Sequence, residues 1–148
     1  MKWRFVDKII FFESWKRIKA LKAVSLEEYY ILKPLGREGI LPETLLMESS
    51  LQLARWFLEK SSEFTLSFVD FEIENFTIIE EVLMGESITM EVEMESKNPK
   101  EMTFLSKASI RDKMVAFGDI TIQITNISLL HNKERRALLW EGIYAPIE

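Results

Sequence analysis

The stretch Ile40 to Lys60, ILPETLLMESSLQLARWFLEK, sets Glu48 among Leu45, Leu46, Leu51 and Leu53. A carboxylate taken out of water needs hydrogen bonds or a raised pKa, so its position calls for a reason. In a pocket such a group can take a proton as a general base or attack a carbonyl itself. Gln52 stands one helical turn further on; it can hold Glu48 in place or simply be a buried amide, which is the commoner case. Partners for acid chemistry are scarce: the one histidine, His131, is far along the chain, and Tyr29 and Tyr30 are the alternative proton donors. Ser49-Ser50 lacks the glycines of a nucleophile elbow and has no histidine near it. No phosphate loop, dinucleotide fingerprint or metal-ligand cluster is present, so no cofactor and no metal are expected.

The elements around Glu48 follow from the change of hydrophobic period. Arg4 to Glu13, RFVDKIIFFE, is rich in β-branched and aromatic residues and reads as a strand. Ser14 and Trp15 break it. KRIKALKAV alternates as a half-buried second strand, with Arg17, Lys19 and Lys22 read outward and Ile18 and Ala20 inward. Ser25 with Glu28 three residues later suggests a capped helical turn. KPLGREGILP, with Pro34, Gly36, Gly39 and Pro42, is a loop. Pro42 suits a first helical turn and Glu43 favours the positive end of the helix dipole. Leu45, Leu46, Ser49, Leu53, Trp56 and Phe57 then recur at helical spacing to Lys60-Ser61, with Trp56 and Phe57 expected in the core or in a dimer contact.

Beyond the helix the period is two, and about four strands follow, with turns at Gly85-Glu86, Lys97 to Lys100 and Arg111 to Lys113. MEVEMES alternates cleanly, which points to an antiparallel sheet with one wet face. Met47, Met90 and Met94 are read as core residues that could also line an adaptable pocket. The end reads as a short helix from Leu129 to about Trp140, stopped by Gly142. Its Leu129, Leu130, Leu138 and Trp140 are free to dock on the body or on a partner. The expected division is one domain over residues 1–127 and a helical tail over 128–148.

With 148 residues, 47% hydrophobic and 29% charged, the chain fits a single globular domain. The net charge of −5 combines a basic start (Lys2, Arg4, Lys8, Lys16, Arg17, Lys19, Lys22) with an acidic middle (Glu72 to Glu95). No sustained basic face argues for nucleic acid, and no apolar run is long enough to span a membrane. Without cysteine there is no disulfide or thiolate chemistry. The start has no signal-peptide pattern, so a cytoplasmic protein is expected.

Two strands, one long apolar helix and about four strands make an α+β arrangement in which a single helix must be wrapped by the sheet. That order resembles the hotdog fold, one long central helix wrapped by an antiparallel sheet of about five or six strands. Within that fold it is similar to the beta-hydroxyacyl-acyl carrier protein dehydratases over roughly Phe5 to Ile124. Val6-Asp7 in RFVDKII matches the family's opening strand, and Trp15-Lys16-Arg17-Ile18 its first turn. PLGREGILPETLLMESSLQLA matches the hallmark loop and helix: Pro42 falls on the helix proline, Glu48 on the catalytic carboxylate and Gln52 on the helix glutamine. Met84-Gly85-Glu86 before SITMEVEM matches a later turn. The family's histidine position is Pro34 here, the glycine after the helix proline is Glu43, and a basic stretch before the turn is Ile78 to Val82.

The resemblance implies an acyl-thioester-binding protein with Glu48 as candidate catalytic residue and Pro42, Glu43 and Gln52 at the substrate. The thioester would ride on acyl carrier protein or CoA in fatty-acid or polyketide-type synthesis. It also implies a homodimer, a higher oligomer, or a heteromer with an active homologue. With proline at the histidine position, dehydration would be degenerate or non-canonical. Three readings of Glu48 stay open: a structural carboxylate bonded to backbone, Ser49, Ser50 or Gln52; a thioesterase carboxylate, as in some hotdog enzymes; and a dehydratase or isomerase using a tyrosine as acid. A further alternative is a non-catalytic partner subunit whose tail carries the interaction.

Overall fold

Six strands form one antiparallel sheet in the computed structural model, which describes residues 5–23, 43–83 and 85–147. In chain order they are β1 (Lys8–Glu13), β2 (Arg17–Ala23), β3 (Leu66–Ile78), β4 (Ser87–Lys97), β5 (Glu101–Ile110) and β6 (Lys113–Asn126). The helix α1 (Glu43–Ser61) lies between β2 and β3, and a second helix, α2 (Lys133–Ile143), follows a short 3-10 turn at Ile127–Leu129. Across the sheet the order is β1-β2-β4-β5-β6-β3. Helix α1 touches β2, β4 and β3, near opposite ends of that order. With strands ~4.8 Å apart, a helix about 10 Å wide reaches them all only if the sheet curls around it.

The packing follows the two periods. On β5 the inward residues are Met102, Phe104, Ser106 and Ala108; on β4 they are Ile88, Met90 and Val92. Helix α1 answers with Leu46, Leu53, Ala54, Phe57 and Leu58, all buried. The Phe57 ring meets Phe104 edge-on at 5.5 Å and Phe12 at 6.3 Å, the favoured geometry for aromatic pairs. The turns take the residues their backbones require. Arg111 and Asp112 both sit at positive φ, as a two-residue hairpin of this hand demands. Asn98 accepts from the N–H groups of Lys100 and Glu101.

Several expectations are corrected. Strand β1 starts at Lys8, not Arg4, because the Phe5 backbone bonds to helix side chains instead: Gln52 accepts from its N–H at 3.0 Å and Ser49 donates to its carbonyl at 3.3 Å. Lys22 points inward with Ile18 and Ala20 and is fully buried, its ammonium 5.4 Å from the centre of the Phe5 ring. Strand period outweighed charge there, and the long apolar stem made this tolerable. Helix α2 begins later than expected, after the cap Asn132, whose side chain accepts from the Arg135 N–H, and it runs through Gly142 to Ile143. Trp140 and Ile143 join the core, whereas Leu129 and Leu138 remain exposed. The turn at Ser25, the loop from Lys33 to Pro42, Tyr29, Tyr30, Pro34 and Met84 lie outside the described residues.

The C-terminal residues close one side of the sheet. Ala145 and Ile147 donate backbone hydrogen bonds to Ile9 and Ile10 of β1, at 2.8 and 3.1 Å. The opposite border is β3, whose ladder partner among the described residues is β6 alone. Gly118 on β6 permits that pairing: a Cβ there would come within 2.7 Å of the Phe76 ring.

Candidate functional site

Helix α1 carries a polar line down one face. Glu48, Gln52, Arg55 and Glu59 follow at intervals of four, three and four, which is one stripe of an α-helix. The stripe grows more buried along its length: Glu48, Gln52 and Arg55 are half-buried and Glu59 is inaccessible.

Glu48 stands in the second turn of α1. The side chains expected to tie it down are engaged elsewhere. Ser49 donates its one hydroxyl proton chiefly to Leu45 O at 2.7 Å and shares it with Phe5 O at 3.3 Å, and Ser50 accepts from Ser106 of β5 at 2.7 Å in a buried pair. Gln52 accepts from Phe5, as described above. Among the described residues, no donor holds the Glu48 carboxylate by a hydrogen bond or ion pair. The structural reading with Ser49, Ser50 or Gln52 as partner is therefore not what the helix shows. The two serine hydroxyls serve as ties between α1 and its surroundings.

Glu43 is exposed in the first turn, about 7 Å along the helix axis from Glu48. Pro42 and Pro34 lie outside the described residues, so of the residues expected to meet at the site, Glu48, Glu43 and Gln52 are on one helix. His131 is not with them. Its N–H bonds to Ile127 O, and the Ile127 N–H bonds to Thr65 O, which fastens it beside the far end of α1. Thirteen residues of helix separate Glu48 from Ser61, about 20 Å.

The stripe beyond Gln52 was missed from the sequence, though its spacing was there to be read. Glu59 is held from two sides: Ser67 of β3 donates at 2.8 Å and Arg136 Nε of α2 at 2.5 Å. Arg136 also lies 3.9 Å over the Trp56 ring. Arg55 sits between these acids, with Nη2 donating to Phe68 O of β3 at 3.3 Å and the guanidinium 4.6 Å from the Phe68 ring centre. Loss of water around Arg55 lowers its pKa from the ordinary arginine value; Glu59 and Glu48 pull it back up, and Arg136 pushes it further down. Among the described residues no group of three or more histidine or acidic side chains could hold a metal ion.

No family model matches the chain, and no curated protein does. Solved structures do. A hot-dog-like protein from Thermanaerovibrio acidaminovorans superposes with a TM-score of 0.64 at 20% identity, over 88% of this chain and 93% of that one. A thioesterase from Haemophilus influenzae gives a TM-score of 0.66 at 14% identity, over 84% and 81%. A hypothetical thioesterase with coenzyme A from Streptococcus pneumoniae gives 0.64 at 10% identity, over 80% and 85%. At these identities the likeness shows the fold, which is the hotdog fold. None of the three is named a dehydratase, so the finer resemblance gains nothing from them. Among the described residues no helix is long and apolar enough to cross a membrane.

Proposed function

We propose that this hotdog protein binds acyl-CoA thioesters and hydrolyses them, with Glu48 as the base. The observation that carries this reading is the Glu48 carboxylate itself. It is half-buried on the central helix and not spent on any described side chain. The hotdog structures named as thioesterases, one of them with coenzyme A, support hydrolysis over dehydration and CoA over a carrier protein. Hydrolysis also asks less of the chain. A dehydratase needs a second group to protonate the departing hydroxyl, and His131 is held at the other end of α1.

In the proposed reaction Glu48 takes a proton from water as the water oxygen bonds to the thioester carbonyl carbon. The carbonyl oxygen becomes an oxyanion. N–H groups in the first turn of a helix have no intrahelical acceptors and sit at its positive end, so the start of α1 is suited to that charge. The C–S bond then breaks, and the thiolate takes the proton from Glu48. Glu43 in the first turn, with Pro42 next to it in sequence, would border the thioester, and Gln52 would keep the Phe5 segment against Glu48.

The active unit is proposed to be a homodimer joined through β3. One border of the sheet is closed by the chain's own C-terminal residues, and the other presents β3 with Val69 at 53% and Phe71 at 46% exposure. Open apolar edge strands pair readily. Residues 1–127 would form the hotdog unit and 128–148 a strap across it.

Free-thiol release from short and medium acyl-CoA esters, wild type against Glu48→Gln, tests the reading. Turnover that drops at least about a hundredfold in Glu48→Gln, with the melting temperature kept, is the expected result. Hydration of a 2-enoyl thioester without thiol release would restore the dehydratase. Neither reaction, in a protein that still binds the thioesters, would leave a binding or partner subunit.

A further inference from the structure

Arg55 is incompletely satisfied where it stands. Its Nε is the one buried side-chain nitrogen or oxygen among the described residues with no hydrogen-bond partner. The guanidinium makes a single long bond, to Phe68 O. Buried polar groups are paired as a rule, and an exception calls for a reason. The adjacent acid does not supply one: both oxygens of Glu59 are taken, by Ser67 and Arg136. Glu48 lies two helical turns away and forms no ion pair with Arg55 among the described residues. What remains is a planar guanidinium on the same helical face as the proposed base, with Nε enclosed and the residue as a whole half-buried, so that a ligand would meet its terminal nitrogens. That geometry matches the two oxygens of a carboxylate.

We infer that Arg55 binds a carboxylate at the far end of the acyl group, so that the substrates are thioesters of dicarboxylic acids rather than of plain fatty acids. The inference rests on the thioester reading of Glu48. Seven residues of helix put Arg55 about 10 Å beyond Glu48 along the axis. At roughly 1.2 Å of reach per single bond, an acyl chain of about eight bonds spans that distance. A purely alkyl chain laid there would run along Gln52 and Arg55 and leave the half-buried guanidinium with Phe68 O as its one acceptor. A site built to bond a polar group discriminates strongly against the analogue that lacks it.

The test compares suberyl-CoA and azelayl-CoA with octanoyl-CoA and nonanoyl-CoA, matched in chain length. Hydrolysis and calorimetric binding are measured on wild type, Arg55→Met and Arg55→Lys, with solution mass alongside. The expected result is a wild-type preference of at least about tenfold in kcat/KM for the dicarboxylic esters. That preference should be lost in Arg55→Met and partly kept in Arg55→Lys, while the alkyl esters change by less than about threefold. Wild type favouring the alkyl esters overturns the inference without reference to any variant. So does Arg55→Met weakening both series equally, or turning a dimer into a monomer, which would assign the guanidinium to a subunit contact. Hydrolysis without discrimination sinks the inference alone; no binding or cleavage of either series sinks the thioester reading and the inference with it.

Discussion

Arg136 donates from its Nε to the Glu59 carboxylate at 2.5 Å, joining α2 to α1 across 77 residues of sequence. Glu59 is inaccessible and Arg136 is half-buried, so the pair is buried on the acid's side, and Ser67 adds a third member from β3. Removing one side of such a pair leaves an uncompensated charge in the interior. Arg136→Leu should therefore cost about 3–5 kcal/mol in urea unfolding. The double variant Arg136→Leu with Glu59→Met should recover most of that loss. A single variant as stable as wild type would show that the pair does not fasten α2.

The Ser106 hydroxyl donates to Ser50 in the core, between β5 and α1. Ser106→Ala leaves Ser50 short of a partner and should destabilise by about 1–2 kcal/mol, with thioester turnover unchanged. Ser50→Ala with Ser106→Ala together should cost less than the sum of the two, by about 1 kcal/mol in a double-mutant cycle. Loss of turnover in a stable Ser50→Ala protein would count against serine as a purely structural residue here.

The β3 border should respond to charge. Val69 and Phe71 are exposed on β3, which pairs with β6 on one side and with no other described strand on its outer edge. Phe71→Lys is expected to keep the far-UV circular dichroism of wild type and to halve the mass seen by light scattering, because a lysine on an edge strand opposes pairing. An unchanged dimer would move the subunit contact away from β3.

Glu95 gives a pH signature. Its pKa is raised from the ordinary glutamate value, by lost solvation first and then by Asp119, whose charge and hydrogen bond both act on it, with Glu93 adding to the shift. A raised folded-state pKa favours the protonated carboxyl. The associated stability is present below the unfolded value and is lost as pH rises through the folded one. Glu95→Gln should thus raise the melting temperature more at pH 8 than at pH 4. The opposite ranking would mean that Glu95 gains more from its neighbours when ionised than when neutral.

The local elements were legible because they depend on near neighbours. The helix from Glu43 to Ser61 follows from apolar residues at helical spacing, and β4 to β6 from strict alternation between turn residues. One long helix among six strands already implied a sheet curled around it. At the site, the placement of Glu48 and Gln52 on one face was also there to be read. Where the reading failed, a charge was allowed to overrule a period: Lys22 keeps phase with Ile18 and Ala20 and goes inside.

Other features could not be read from neighbours, since they depend on segments far apart in the chain. Glu59 is tolerable in the interior because Ser67 and Arg136 arrive from a strand and a helix on either side of it. Nothing around Glu59 in the chain names those partners. The closing of β1 by Ala145 and Ile147, the open border at β3, and the unsatisfied Nε of Arg55 likewise arise only when the sheet has curled. Hydrophobic period is a property of a few consecutive residues, whereas the satisfaction of a buried charge is a property of everything that surrounds it.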